Sequence, residues 1–156
     1  MLGRYFVTSL LSDKIGMAIE FGQEKTAQST IDNESHAYSV GQGRAEELKF
    51  LGVNLNLSPV LDRTSPSDFL FDRTFQAKRF ESGKLAKALL SGQKQGGILS
   101  TLKHFPGYGN ISFNPEQKLA TVPEFPDISP FIFSLTANPE FLLLSNVIYS
   151  DFDPHN

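Results

Sequence analysis

Four short apolar runs, each carrying or closing on a polar residue, constrain this chain more than any other feature. They occupy residues 15–20, closed by Glu20; 53–62, closed by Asp62; 98–105, which carries Lys103 and His104; and 141–149, which carries Asn146. In the second run Val53, Leu55 and Leu57 alternate with Asn54, Asn56 and Ser58. That period of two is a strand, and Pro59 marks its end. Between the runs, residues 35–51 and 77–95 read as helices. The first places Ala37, Val40, Leu48 and Leu51 at loosely helical spacing, with Gly41 and Gly43 against it. The second places Leu85, Ala86, Leu89 and Leu90 on one face and stops at Gly96-Gly97. Residues 22–33, 63–76 and 110–127 are polar loops, 128–137 a short helix, and 150–156 a polar tail. Phe125, Phe131 and Phe133 are expected in the core under the fourth strand, and Lys84, Lys87 and Lys94 on a solvated helix face.

Strands alternating with helices argue for parallel pairing through right-handed crossovers. Mostly apolar strands fit a sheet covered by helices. An open doubly wound sheet and a piece of an eight-stranded barrel both satisfy the pattern. Polar residues gather where strands end, at Glu20, Asp62, Lys103, His104 and Asn146. In a barrel such ends converge on one mouth, where substrates bind. The expected fold is therefore α/β: a partial (β/α)8 barrel, with residues 1–156 forming a single incomplete domain. A complete barrel takes about 250 residues, so about half of one is present.

Composition removes several classes of function. Hydrophobic residues are 40% and charged residues 20% of the 156, a globular balance. The absence of cysteine excludes disulfides, thiolate catalysis and cysteine-ligated zinc. A net charge of −3 gives no basic footprint for nucleic acid. No apolar run approaches the ~18 residues that span a bilayer. Residues 1–14 lack the apolar length and small-residue cleavage site of an export signal, so a cytoplasmic protein is expected. His36, His104 and His155 stand at no metal-ligand spacing, and neither metal nor cofactor is expected. Gly41-Gln42-Gly43-Arg44 follows no strand and lacks the lysine of a phosphate loop.

The segment Lys103-His104-Phe105-Pro106-Gly107-Tyr108-Gly109 is the most informative. A cation and an imidazole at a strand end can bind hydroxyls or an anion. Pro106, Gly107 and Gly109 force a tight loop that lets backbone approach a ligand. The same residues also suit a plain strand-ending turn with a surface lysine and a packed histidine.

This segment resembles the signature of glycoside hydrolase family 3, in its bacterial beta-N-acetylhexosaminidase branch. Residues 43–62, with Pro59-Val60-Leu61-Asp62, resemble the helix and strand preceding that signature. Phe71-Asp72-Arg73-Thr74-Phe75 resembles its Asp-Arg-Ser-Phe element, and Asn146-Val147-Ile148-Tyr149 with Asp153-Pro154 its next strand and exit loop. Several motifs in one order are a stronger signal than any one alone. The resemblance implies a retaining hydrolase of O-glycosyl bonds acting on beta-N-acetylglucosaminide-type substrates. It implies that Lys103, His104 and Arg73 bind sugar hydroxyls, that Asp62 braces the site, and that Glu20 is the nearest counterpart of an early-strand acid.

The chain also departs from the family pattern. The family's acid/base aspartate and histidine fall at Asn114 and Glu116. Glu116 is the candidate acid if burial raises its pKa, and otherwise a solvated loop glutamate beside Pro115 and Lys118. A retaining mechanism needs two carboxyl groups about 5 Å apart, and the family's nucleophilic aspartate lies on a later strand. The isolated chain is expected to be inactive while keeping part of a sugar pocket. Open sheet edges are expected to promote self-association. A non-catalytic carbohydrate-binding or interaction protein on the same scaffold is the alternative, and an unrelated α/β enzyme using Lys103 or His104 a third.

Overall fold

The computed structural model describes residues 28–115 and 117–152. The apolar run at 15–20 with Glu20, and Glu116, lie outside the described residues. Helices are α1 (Glu34–Phe50), α2 (Arg79–Gln95) and α3 (Ser129–Ser134), and strands are β1 (Leu55–Asn56), β2 (Leu99–Phe105), β3 (Ala120–Val122), β4 (Phe141–Leu144) and β5 (Val147–Tyr149). Single turns of 3-10 helix occupy Gln28–Thr30, Phe71–Arg73 and Leu135–Ala137. No helix among the described residues is long and apolar enough to cross a membrane.

The expected parallel pairing is present. β2 is central, flanked by β1 and β4, with Leu55 opposite Leu99 and Thr101 opposite Phe141. Each connection crosses over through a helix, α2 between β1 and β2 and α3 between β2 and β4. β3 and β5 form a second, separate parallel ladder.

Four local expectations need correction. The run at 53–62 gives only β1 and an isolated bridge from Val60 to Lys103, because Pro59 has no N–H for the ladder. The run at 141–149 divides, and its halves pair with β2 and β3 in turn. The loop at 110–127 contains β3, whose Ala120 and Val122 point inward while Thr121 is exposed. Helix α2 starts at Arg79 rather than 77, since Lys78 is extended, with ψ 156°, and stands as the N-cap.

Helix α1 begins at Asn33, whose side chain accepts the His36 N–H at 2.8 Å. Its buried positions are Ala37, Gly41 and Ala45, a narrow stripe of small residues. That stripe lets α1 lie directly on α2. A Cβ on Gly41 would meet the Leu89 carbonyl, and one on Gly92 the Tyr38 carbonyl. Beneath this contact, Leu85, Leu89 and Leu90 pack with Leu61, Leu102 and Phe131 as the main core. Each such side chain, fully buried, contributes about 1.5–3 kcal/mol. Phe131 belongs here as expected. Phe125 does not: it is 46% exposed and stacks on Tyr149 and Phe152 instead.

Candidate functional site

The C-terminal end of β2 and the strand end at Asp62 meet through the backbone. Lys103 N–H donates to the Pro59 carbonyl at 3.2 Å, and Leu61 N–H to the Lys103 carbonyl at 2.6 Å. This register places Asp62 beside His104. Its Oδ2 accepts the His104 Nδ1–H and the His104 backbone N–H, both at 2.9 Å, while Oδ1 accepts the Tyr108 N–H at 2.8 Å. The Asp62 side chain is 0% exposed, so three donors satisfy a carboxylate that water cannot reach. An ionised carboxylate only accepts, so Nδ1 carries the proton of this bond and Nε2 is the ring nitrogen left for another partner. The Tyr108 ring packs on the imidazole, centroids 4.5 Å apart.

Lys103 is itself buried, at 5% exposure. The peptide bonds Lys103-His104 and Phe105-Pro106 are both cis. Beyond them the turn needs its glycines. Gly107 has φ 133° and Gly109 φ 69°, and a Cβ on Gly109 would lie 2.9 Å from Val122 Cγ1. The Tyr149 hydroxyl reaches the Gly107 carbonyl and Ser145 Oγ, the latter at 2.6 Å, tying this turn to β5. Burial raises the Tyr149 pKa above its ordinary value, so the phenol stays protonated and able to donate.

Two further braces act on the same strand ends. Gln28, buried in its 3-10 turn, donates through Nε2 to the Val60 carbonyl at 2.5 Å and accepts the Val60 N–H at 3.0 Å. Its amide thus imitates a neighbouring strand beside Val60. Asp68 joins the loop bearing Arg73 to the loop after the signature. Its carboxylate accepts the Leu70 N–H at 2.7 Å and the Ile111 N–H at 3.2 Å. Burial is the main cause of its pKa rising to about 6, with the Asp62 charge adding to it.

The site residues expected from sequence divide accordingly. Asp62 and His104 meet through their side chains, and Lys103 joins them through its backbone bonds to Pro59 and Leu61. Arg73 is half-buried at the end of the Phe71–Arg73 turn, on the loop fastened by Asp68. Asn146 is exposed just beyond β4, at the same end of the sheet as Phe105, which pairs with Leu144. Glu20 and Glu116 fall outside the described residues. Sequence reasoning missed Gln28, Asp68 and Tyr149. Asp68 and Gln28 sat in polar loops with no periodicity to mark them, whereas Tyr149 was visible only as part of a strand. Among the described residues, no group of three or more His, Asp or Glu side chains is arranged to hold a metal.

The family model described as the glycosyl hydrolase family 3 N terminal domain matches residues 10–156. A beta-hexosaminidase of Idiomarina loihiensis is 31% identical, the match covering 80% of this chain and 40% of that protein. Another from Hydrogenovibrio crunogenus is 33% identical over 75% of this chain and 35% of that protein. Among solved structures, NagZ from Neisseria gonorrhoeae in complex with N-trifluoroacetyl-D-glucosamine superposes with a TM-score of 0.68 at 28% identity, covering 77% of this chain and 37% of that one. A glycoside hydrolase family 3 beta-N-acetylglucosaminidase from Paenibacillus sp. has a TM-score of 0.75 at 22% identity, covering 85% and 27%. The chain belongs to glycoside hydrolase family 3, matching the family's N-terminal domain. It spans about 40% of the length of the beta-hexosaminidase from Idiomarina loihiensis.

Proposed function

We propose that the strand-end site is the saccharide-recognising part of a retaining beta-N-acetylglucosaminide hydrolase, carried on an arc of a (β/α)8 barrel. The observation that supports this is the buried Asp62 carboxylate holding the His104 imidazole and the Tyr108 backbone at once. It presents His104 Nε2 in a fixed direction, with Lys103 adjacent in the chain. Multi-donor groups held rigidly suit the hydroxyls of a sugar ring. Arg73 adds a planar fork able to bond two oxygens.

The 156 residues by themselves bind sugar without cleaving it. Asp62 already accepts three hydrogen bonds, and Asp68 is bonded to two backbone N–H groups. Neither is placed as an attacking carboxylate. Asn114 has no proton to transfer as an acid does, which leaves Glu116 as the sole acid at the two dyad positions. The apolar strand β4 is the seam through which copies of this chain associate.

Calorimetry with N-acetylglucosamine, beside a chromogenic N-acetyl-β-glucosaminide assay, tests this reading. Binding should weaken about ten-fold in Lys103→Ala, with no turnover by either protein. Turnover that disappears in Lys103→Ala would contradict the inactive part of the proposal. Equal binding by both proteins would remove the site itself.

A further inference from the structure

Charge near the second strand end is unevenly distributed. A cavity of about 390 Å³, at the small-ligand end of the usual range, is lined by Arg63, Lys78 and Arg79 together with Thr64, Thr74 and the chain at Asp62. Among the described residues one carboxylate pairs with these cations. Asp127 Oδ2 lies 2.7 Å from Arg79 Nε and 3.8 Å from an Arg63 terminal nitrogen. The other oxygen, Oδ1, accepts the Ser129 hydroxyl at 2.5 Å and the Ser129 N–H at 3.1 Å. Asp127 is thereby fixed against the start of α3, and it anchors two guanidinium groups while neutralising only one charge.

Lys78 stands on the wall between this cavity and a groove lined by Asp32, Glu34 and Glu81. It pairs with none of those carboxylates, whereas Lys84 takes Glu81 at 3.0 Å. Among the described residues three cations thus face two carboxylates at the cavity, Asp127 and Asp62, and the Asp62 carboxylate is fully buried and engaged by His104 and Tyr108. Arg63 and Arg79 are 62% and 49% exposed, so both can reach an incoming ligand. Forked guanidinium donors bind the oxygens of phosphate and sulfate in pairs, and an ammonium adds a point charge.

We propose that this cavity takes a tetrahedral oxyanion, a phosphate or sulfate group, either free or carried by a saccharide. The saccharide-borne source rests on the function proposed above, and the free ion does not. Asp62 connects the two places, since its chain walls the cavity while its carboxylate holds His104.

The experiment titrates inorganic phosphate, N-acetylglucosamine and N-acetylglucosamine 6-phosphate into the wild-type chain and into an Arg63→Gln/Lys78→Gln variant. Both substituted side chains are on the surface, and a circular dichroism melt checks that the fold is kept. Phosphate should bind the wild type, weaken with added salt, and weaken at least ten-fold in the variant, while N-acetylglucosamine binds both proteins equally. A phosphosugar tighter than either simple ligand identifies the saccharide-borne source, and one no tighter than phosphate identifies the free ion. Phosphate binding without N-acetylglucosamine binding would sink the saccharide reading and leave the anion site standing. Absence of binding by both phosphate and the phosphosugar, or equal affinity in wild type and variant, overturns the proposal.

Discussion

Two sides of β2 are built differently, its helix-covered face and its β4 edge. On the helix side, α1 lies on α2 and α2 on the sheet, burying Leu89 and Leu102 completely. On the other flank β4 pairs only with β2 among the described residues, and Phe141, Leu142, Leu143 and Leu144 are 39–67% exposed. By sequence β4 is the more apolar of the two regions. An apolar run thus reports that a strand is fit to be covered, without reporting what covers it.

The closed flank is where substitution should cost most. Gly41→Ala would drive a methyl into the Leu89 carbonyl and is expected to destabilise the chain by about 2–3 kcal/mol. Gly43, two residues along the same helix, faces open space. Gly43→Ala should stabilise by up to about 1 kcal/mol through helix propensity alone. Urea denaturation of both variants checks the pair. Equal effects would mean that α1 does not cross α2 at Gly41.

A smaller effect is expected at Asp68, which fastens the loop bearing Arg73 to the loop after Gly109. Its pKa stands at about 6, above the ordinary 3.8, so the folded chain favours the protonated form. Its contribution to stability is full below pH 4 and is lost as pH rises through about 6. The advantage of wild type over Asp68→Asn in melting temperature should be larger at pH 5 than at pH 8. The difference is on the order of 1 kcal/mol after allowing for solvent screening. An advantage constant across that range would refute the assignment.

The smallest change in stability belongs to the open flank. Leu144→Ser should alter the monomer's stability by no more than about 0.5 kcal/mol, because the side chain is 67% exposed. It should nevertheless reduce self-association in sedimentation at high concentration. A wild-type chain that stays monomeric there would remove β4 as the seam.

How legible each region was follows from how local its physics is. Helix α2 was readable because Leu85, Ala86, Leu89 and Leu90 share one face, and β2 because a short apolar run closes at Pro106-Gly107. Helix α1 was only loosely readable. Gly41 counts against a helix by propensity, yet it is the point of contact that makes the helix pack. β3 escaped because three residues are too few to establish a period, and because its partner β5 is distant in sequence. At the site, Lys103 and His104 were marked by the glycine-rich turn after them. Asp68 and Gln28 act through side-chain bonds to backbone groups, at Ile111 and Val60, that are distant in sequence and leave no pattern in the chain.

The central claim is that Asp62 holds His104 and the Tyr108 turn ready for a sugar. Amide and imidazole NMR spectra during titration with N-acetylglucosamine test it most directly. Shifts are expected at His104 and Tyr108, and they should be largely abolished in Asp62→Asn, whose amide cannot accept all three hydrogen bonds. Shifts confined to residues away from this strand end, or unchanged in Asp62→Asn, would contradict the account.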